Sequence, residues 1–153
     1  ASAQYSSIVG GSSSSASGIG STIVGGYFNK AVGQESTVMG GSTNTAVGNK
    51  STALGGDSNT ALGTWSVVVG GQDNRAAGNW SSISGGDSNS VRLDHGFLGG
   101  GRSNVVNGQY GAIGGGSYNT VGSSASVISG GSQSLVGVEL TDKMAPSAKN
   151  LPS

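Results

Sequence analysis

The chain has no cysteine, two prolines among 153 residues, 9% charged side chains and 5% aromatics. Without cysteine, no disulfide can supplement a weak core. The seven Lys and Arg match the seven Asp and Glu in number and form no cluster along the chain. That argues against a nucleic-acid partner or an anionic membrane surface. No apolar run approaches 18 residues, so this segment is not expected to insert in a bilayer as a helix.

Glycine is abundant, at 31 residues. Glycine and serine without period would read as a flexible linker, but these glycines are phased. Pairs stand at Gly10-Gly11, Gly25-Gly26, Gly40-Gly41, Gly55-Gly56, Gly70-Gly71, Gly85-Gly86, Gly100-Gly101, Gly115-Gly116 and Gly130-Gly131, nine pairs each displaced by 15 residues. A fixed period of this length marks a repeat architecture whose copies stack on one another. Glycine pairs and Ser/Thr/Val-rich segments contradict helical propensity and the 3.6 period.

Aligned on that period, two columns are apolar in every copy. One is Ile8, Ile23, Val38, Ala53, Val68, Ile83, Leu98, Ile113, Ile128; the other is Ala16, Ala31, Ala46, Ala61, Ala76, Val91, Val106, Val121, Val136. Two short extended segments per copy, each sending one residue inward, predict an all-β, single-domain parallel β-roll (a β-solenoid) of about nine 15-residue coils over residues 1–137. The glycine pairs would form one corner by taking positive φ, and Gly18, Gly33, Gly48, Gly63, Gly78 and Gly108 a second. The column Asn29, Asn44, Asn59, Asn74, Asn89, Asn104, Asn119 reads as a turn ladder whose copies bond along the coil. Residues 138–153 hold both prolines and no glycine pair, and are expected to be a linker, the start of a neck, or a tail.

The core columns are thin, many of their members being alanine, so the roll should need a partner surface. The residues following each core column supply one: Val24, Met39, Leu54 and Val69 after the first, Val32, Val47 and Leu62 after the second. Strand alternation turns these away from the core. In later copies the apolar character shifts to Phe97, Ala112 and Val127, and to Val105 and Leu135. Together they predict an outward apolar seam that would be buried against identical copies around a symmetry axis.

A motif S-[TV]-[VIA]-[VLM]-G followed by N-x-A-x-G runs through the copies. Clear examples are Ser36-Thr37-Val38-Met39-Gly40 with Ala46-Val47-Gly48, and Ser51-Thr52-Ala53-Leu54-Gly55 with Ala61-Leu62-Gly63. It resembles the head repeat of trimeric autotransporter adhesins of the Yersinia adhesin type, over roughly residues 5 to 137. The resemblance implies a left-handed roll, trimeric about its long axis, carried on an outer-membrane-anchored surface fibre and used for attachment to an extracellular protein or glycan. Phage and viral fibre proteins carry similar repeats. The doubled glycine makes this repeat slightly longer than the commonest family spacing, and the family's neck is not recognisable after Gly137.

The residues offer little to catalysis. His95 is the only histidine and has no second ligand for a metal. Asp57 and Asp87 share a column two coils apart, about 10 Å, at the far limit for a carboxylate pair acting on a sugar. No phosphate cradle is formed, because no strand-to-helix G-x-x-x-x-G-K-[ST] exists. The reading is non-enzymatic, with no cofactor and no metal. The candidate ligand-binding strip is the column Trp65, Trp80, His95, Tyr110, with Arg75, Arg92 and Arg102 in nearby coils and Glu35 and Lys50 earlier in the same column. The rings could equally pack the corner or a neighbouring copy. A purely structural fibre module is the alternative. An ice-binding solenoid is the second, resting on the column Thr22, Thr37, Thr52, which Val67, Ser82 and Phe97 interrupt.

Overall fold

The computed structural model describes residues 1–137; the expected linker, neck or tail at 138–153 lies outside the described residues. The described residues contain no helix and 18 two-residue strands. One nine-stranded parallel sheet takes Ser7–Ile8, Thr22–Ile23, Thr37–Val38, Thr52–Ala53, Val67–Val68, Ser82–Ile83, Phe97–Leu98, Ala112–Ile113 and Val127–Ile128. The other takes Ser15–Ala16, Lys30–Ala31, Thr45–Ala46, Thr60–Ala61, Arg75–Ala76, Ser90–Val91, Val105–Val106, Thr120–Val121 and Leu135–Val136. Successive strands within a sheet are one repeat apart in register, as in Thr22↔Thr37 and Lys30↔Thr45. The expected β-solenoid of about nine coils is therefore the fold. Coils are numbered here from one, holding Ser7–Ile8, to nine, holding Val127–Ile128.

The two apolar columns meet between the sheets as one continuous interior. From Ala16 to Val121 every member is fully buried, while Val136 at the last coil is 36% exposed. Stacking is held by backbone bonds from each coil to the next, such as Thr22 N–H to Ser36 O at 2.9 Å and Val24 N–H to Val38 O at 3.0 Å. A third, one-residue parallel ladder runs Ser12, Tyr27, Ser42, Asp57, Gln72, Asp87, Arg102, Ser117, Ser132 just after the glycine pairs.

The asparagine ladder bonds along the coil as expected, with buried side chains. Asn59 Oδ1 accepts from Asn74 N–H at 3.0 Å, while Asn59 Nδ2 donates to Gly55 O and Gly71 O at 2.9 and 2.8 Å. Its residues do not take the left-handed backbone; their value is that one amide satisfies three backbone groups inside a corner where water is excluded.

The glycine pairs divide their work. Gly41 has φ +79°, and a side chain there would run into Gly56 O and lie 2.6 Å from Asn44 Nδ2. Its partner Gly40 has nothing within 4 Å of such a Cβ, so only the second member of that pair is required by the corner. Apart from Gly20 and Gly137, the remaining left-handed positions carry side chains. One column is Glu35, Lys50, Trp65, Trp80, His95, Tyr110 at φ 52–60°; the other includes Phe28, Thr43, Ser58, Asp73 and Ser88.

Candidate functional site

Each coil leaves the second sheet through a corner such as Ala77-Gly78-Asn79-Trp80-Ser81. Ser81 N–H bonds back to Gly78 O at 3.3 Å, and the Ser81 hydroxyl donates to the same oxygen at 2.6 Å. The left-handed residue at the tip points its side chain into solvent, and the 15-residue register stacks these tips above one another. Trp80 and His95 lie parallel with ring centroids 5.0 Å apart and planes within 1°; His95 and Tyr110 follow at 4.7 Å and 8°. One coil spacing is about 4.8 Å, so the rings repeat with the coil and keep their planes parallel.

The candidate strip is thus partly assembled. Trp80, His95 and Tyr110 form a stack, but Trp65 is not a member: the Lys50 ammonium sits 4.6 Å from its ring centroid, and Lys50 pairs with Glu35 at 3.7 Å. Because the stacked rings cover one another's faces, they present mainly edges: the indole N–H, the imidazole nitrogens and the phenol hydroxyl. Sugar recognition by ring-face stacking is not available within the stack. Beside the tips runs a second side-chain ladder that stiffens the corner. Asn79 Oδ1 accepts from Thr64 N–H at 3.0 Å and Asp94 Oδ1 from Asn79 N–H at 2.8 Å.

Arg75 does not join this corner. It precedes Ala76 on the outer face of the second sheet, on the glycine-pair side, whereas Arg92 follows Val91 on the side of the rings. Arg102 stands on the opposite corner and is tied to Asp87 at 3.4 Å. Asp57 shares that corner ladder with Asp87, separated by Gln72. No pocket and no group of three metal-ligating side chains is found among the described residues.

No family profile matches the chain, and no curated protein matches it.

The expected apolar seam takes a different form. Val24, Met39, Leu54 and Val69 lie on the outer face of the first sheet; Val32, Val47 and Leu62 lie on the outer face of the second. Both sheets send their inward residues to one interior, so their outward residues point to opposite sides. There are two faces, and they differ in charge. The outward positions of the first sheet are Ser7, Thr22, Thr37, Thr52, Val67, Ser82, Phe97, Ala112 and Val127, with Val9, Val24, Met39, Leu54, Val69, Ser84, Gly99, Gly114 and Ser129. None is charged. Met39 is 50% exposed, Val69 45% and Phe97 45%. The outer face of the second sheet mixes Val32, Val47 and Leu62 with Lys30, Arg75 and Arg92. The opposed placement was implicit in the sequence, since two strands sharing one core must turn their other faces apart.

Proposed function

We propose that this chain is a non-enzymatic attachment module: a slender β-solenoid that associates with two identical copies through the outer face of its first sheet. It would act at a cell surface or in a virion fibre by holding an extracellular protein or glycan. The observation that carries the reading is the uncharged outer face of the first sheet, where Val24, Met39, Leu54, Val69 and Phe97 stand exposed in one ribbon. A ribbon of this kind is a docking surface for a like surface, and parallel rods in the same register can align it along their whole length. A closed trimer with left-handed coils is what the resemblance to adhesin head repeats adds. Val32, Val47 and Leu62, on the other face beside three cations, are left out of that contact.

The test is the mass of the particle in solution. Sedimentation or light scattering at micromolar concentration should give three times the chain mass. Met39→Glu with Leu54→Glu should give a folded monomer, because buried carboxylates without partners oppose association strongly. A wild-type chain that runs as a monomer overturns the assembly.

A structural fibre spacer remains the alternative, and loss of attachment with retention of assembly in ring-corner variants separates the two. One observation favours the ice-binding reading: Thr22, Thr37 and Thr52 are in register on an outward face. The row ends there, continuing as Val67, Ser82 and Phe97. Thermal hysteresis of the purified protein decides it.

A further inference from the structure

The two faces of the roll differ in charge in a way that net composition hides. The described residues hold five cations, Lys30, Lys50, Arg75, Arg92 and Arg102, and five carboxylates, Glu35, Asp57, Asp73, Asp87 and Asp94. Two of the cations are in ion pairs at the corners, Lys50 with Glu35 at 3.7 Å and Arg102 with Asp87 at 3.4 Å. The other three, Lys30, Arg75 and Arg92, are exposed and all stand on the outer face of the second sheet. No carboxylate occupies an outward position on that face. Asp73 and Asp94 border it from the two corners, and Asp94 is engaged by the backbone N–H of Asn79 at 2.8 Å. Between Lys30 and Arg92 lie Thr45, Thr60 and Ser90, and on the two coils beyond Arg92 lie Asn107 and Thr120, all donors.

We propose that this face binds a polyanionic polysaccharide, sulfated or uronate-bearing, lying along the rod. Arg75 and Arg92 sit on adjacent coils, one repeat up and two residues along, which places their Cα atoms roughly 8 Å apart on a pleated surface. Lys30 is three coils from Arg75, roughly 14 Å. Planar guanidinium groups grip sulfate and carboxylate oxygens in pairs, and the hydroxyls between them, with the amide of Asn107 on the next coil, suit a chain of sugar hydroxyls. Arg92 adjoins the ring corner, so the edges of Trp80, His95 and Tyr110 extend the donor surface on that side. The same features disfavour nucleic acid: the stacked rings have no interior face free for a base, and three cations make a short phosphate track. The proposal rests on the attachment reading. With the first sheet's face turned to sister copies, the cationic face points outward from each, and weak single-site binding gains by multivalency.

The experiment is salt-gradient elution of the purified chain from immobilised heparin and from a plain sulfonate resin, with sedimentation of the same samples. The wild type should elute from heparin at higher salt than from the sulfonate. Arg75→Gln with Arg92→Gln should weaken heparin binding about tenfold or more with the circular dichroism spectrum unchanged. Lys50→Gln with Arg102→Gln, which removes equal charge from the corners, should leave it intact. The proposal is overturned by flow-through of the wild type, by equal elution from both resins, by equal effects of the two double variants, or by duplex DNA competing as well as dextran sulfate. A trimer that ignores heparin defeats only this proposal; a monomer that binds heparin defeats only the assembly.

Discussion

Coils two to five and coils six to eight follow one backbone path and distribute their bulk in opposite ways. In the earlier coils the second core column is alanine, from Ala31 to Ala76, and the corner just before each first-sheet strand is a buried serine: Ser21, Ser36, Ser51, Ser66. Their outer face carries Val24, Met39, Leu54 and Val69. In the later coils the core column becomes Val91, Val106 and Val121, and the corner becomes Gly96 and Gly111 after Ser81. At the same positions their outer face carries Ser84, Gly99 and Gly114, and its one large exposed side chain, Phe97, stands two residues earlier in the strand. The interior exchange is steric: a Cβ on Gly111 would lie 2.9 Å from both Val106 Cγ1 and Val121 Cγ1. Each Ala-to-Val step adds about 1.6 kcal/mol of buried hydrocarbon, taking 0.8 per methylene. The later coils therefore hold more of their apolar area inside, leaving Phe97 as the large side chain on that outer face, while the earlier ones display Val24, Met39, Leu54 and Val69 there.

The asparagine ladder ignores this division, and it should be the most sensitive element in both halves. Asn59→Ala removes the acceptor of Asn74 N–H and the donor to Gly55 O and Gly71 O. Asn104→Ala removes the acceptor of Asn119 N–H and the donor to Gly100 O and Gly116 O. Each leaves a buried N–H without a partner, and each should cost about 3 kcal/mol in denaturant unfolding. A difference between the two variants of more than about 1 kcal/mol would mean that the halves do not share this frame.

The interior exchange gives the next largest effect and isolates the difference between the halves. Gly111→Ser should cost about 1–3 kcal/mol by overpacking. Adding Val106→Ala and Val121→Ala recreates the environment of Ser51 or Ser66 and should remove that penalty, leaving only the cost of the lost methyls. If the triple variant is as unstable as the sum of its parts, the serine-for-valine account is wrong.

What could be read from the residues was what every coil repeats. The period, the two core columns and the two strands per coil were legible because nine copies vote on each position. The aromatic column was legible for the same reason. The serine column of the repeat motif shows no role along one chain, since its position lies between core residues of two different coils, as a Cβ on Gly111 would lie between Val106 and Val121. Its replacement at Gly96 and Gly111, alongside the change from Ala76 to Val91, was the signal that could have exposed it. Glycine is the residue that usually occupies left-handed backbone, and the second glycine of each pair does so, as at Gly26, Gly41 and Gly56. Glu35, Lys50, Trp65 and Trp80 occupy it as well, which nothing in their residue type signals, and contacts between coils, invisible along one chain, must offset the strain.

That offset can be measured at the ring corner, where the halves differ once more. The earlier coils link their tips by charge, Glu35 to Lys50 and Lys50 to Trp65; the later ones stack Trp80, His95 and Tyr110. Trp80→Ser keeps a left-handed side chain and removes one stacked pair, so it should cost about 0.5–1.5 kcal/mol with the rod intact. Trp80→Gly removes the same pair and also the strain of a Cβ at φ 52°, a relief of about 1–2 kcal/mol reduced by the greater freedom of glycine in the unfolded chain. Trp80→Gly should therefore unfold at higher denaturant than Trp80→Ser and close to the wild type. Both should weaken surface attachment if the ring edges touch the ligand, whereas a packing role alone would lower attachment only in step with stability. Equal midpoints for the two variants would show that the left-handed tip carries no strain, and the stack would then need another reason to be there.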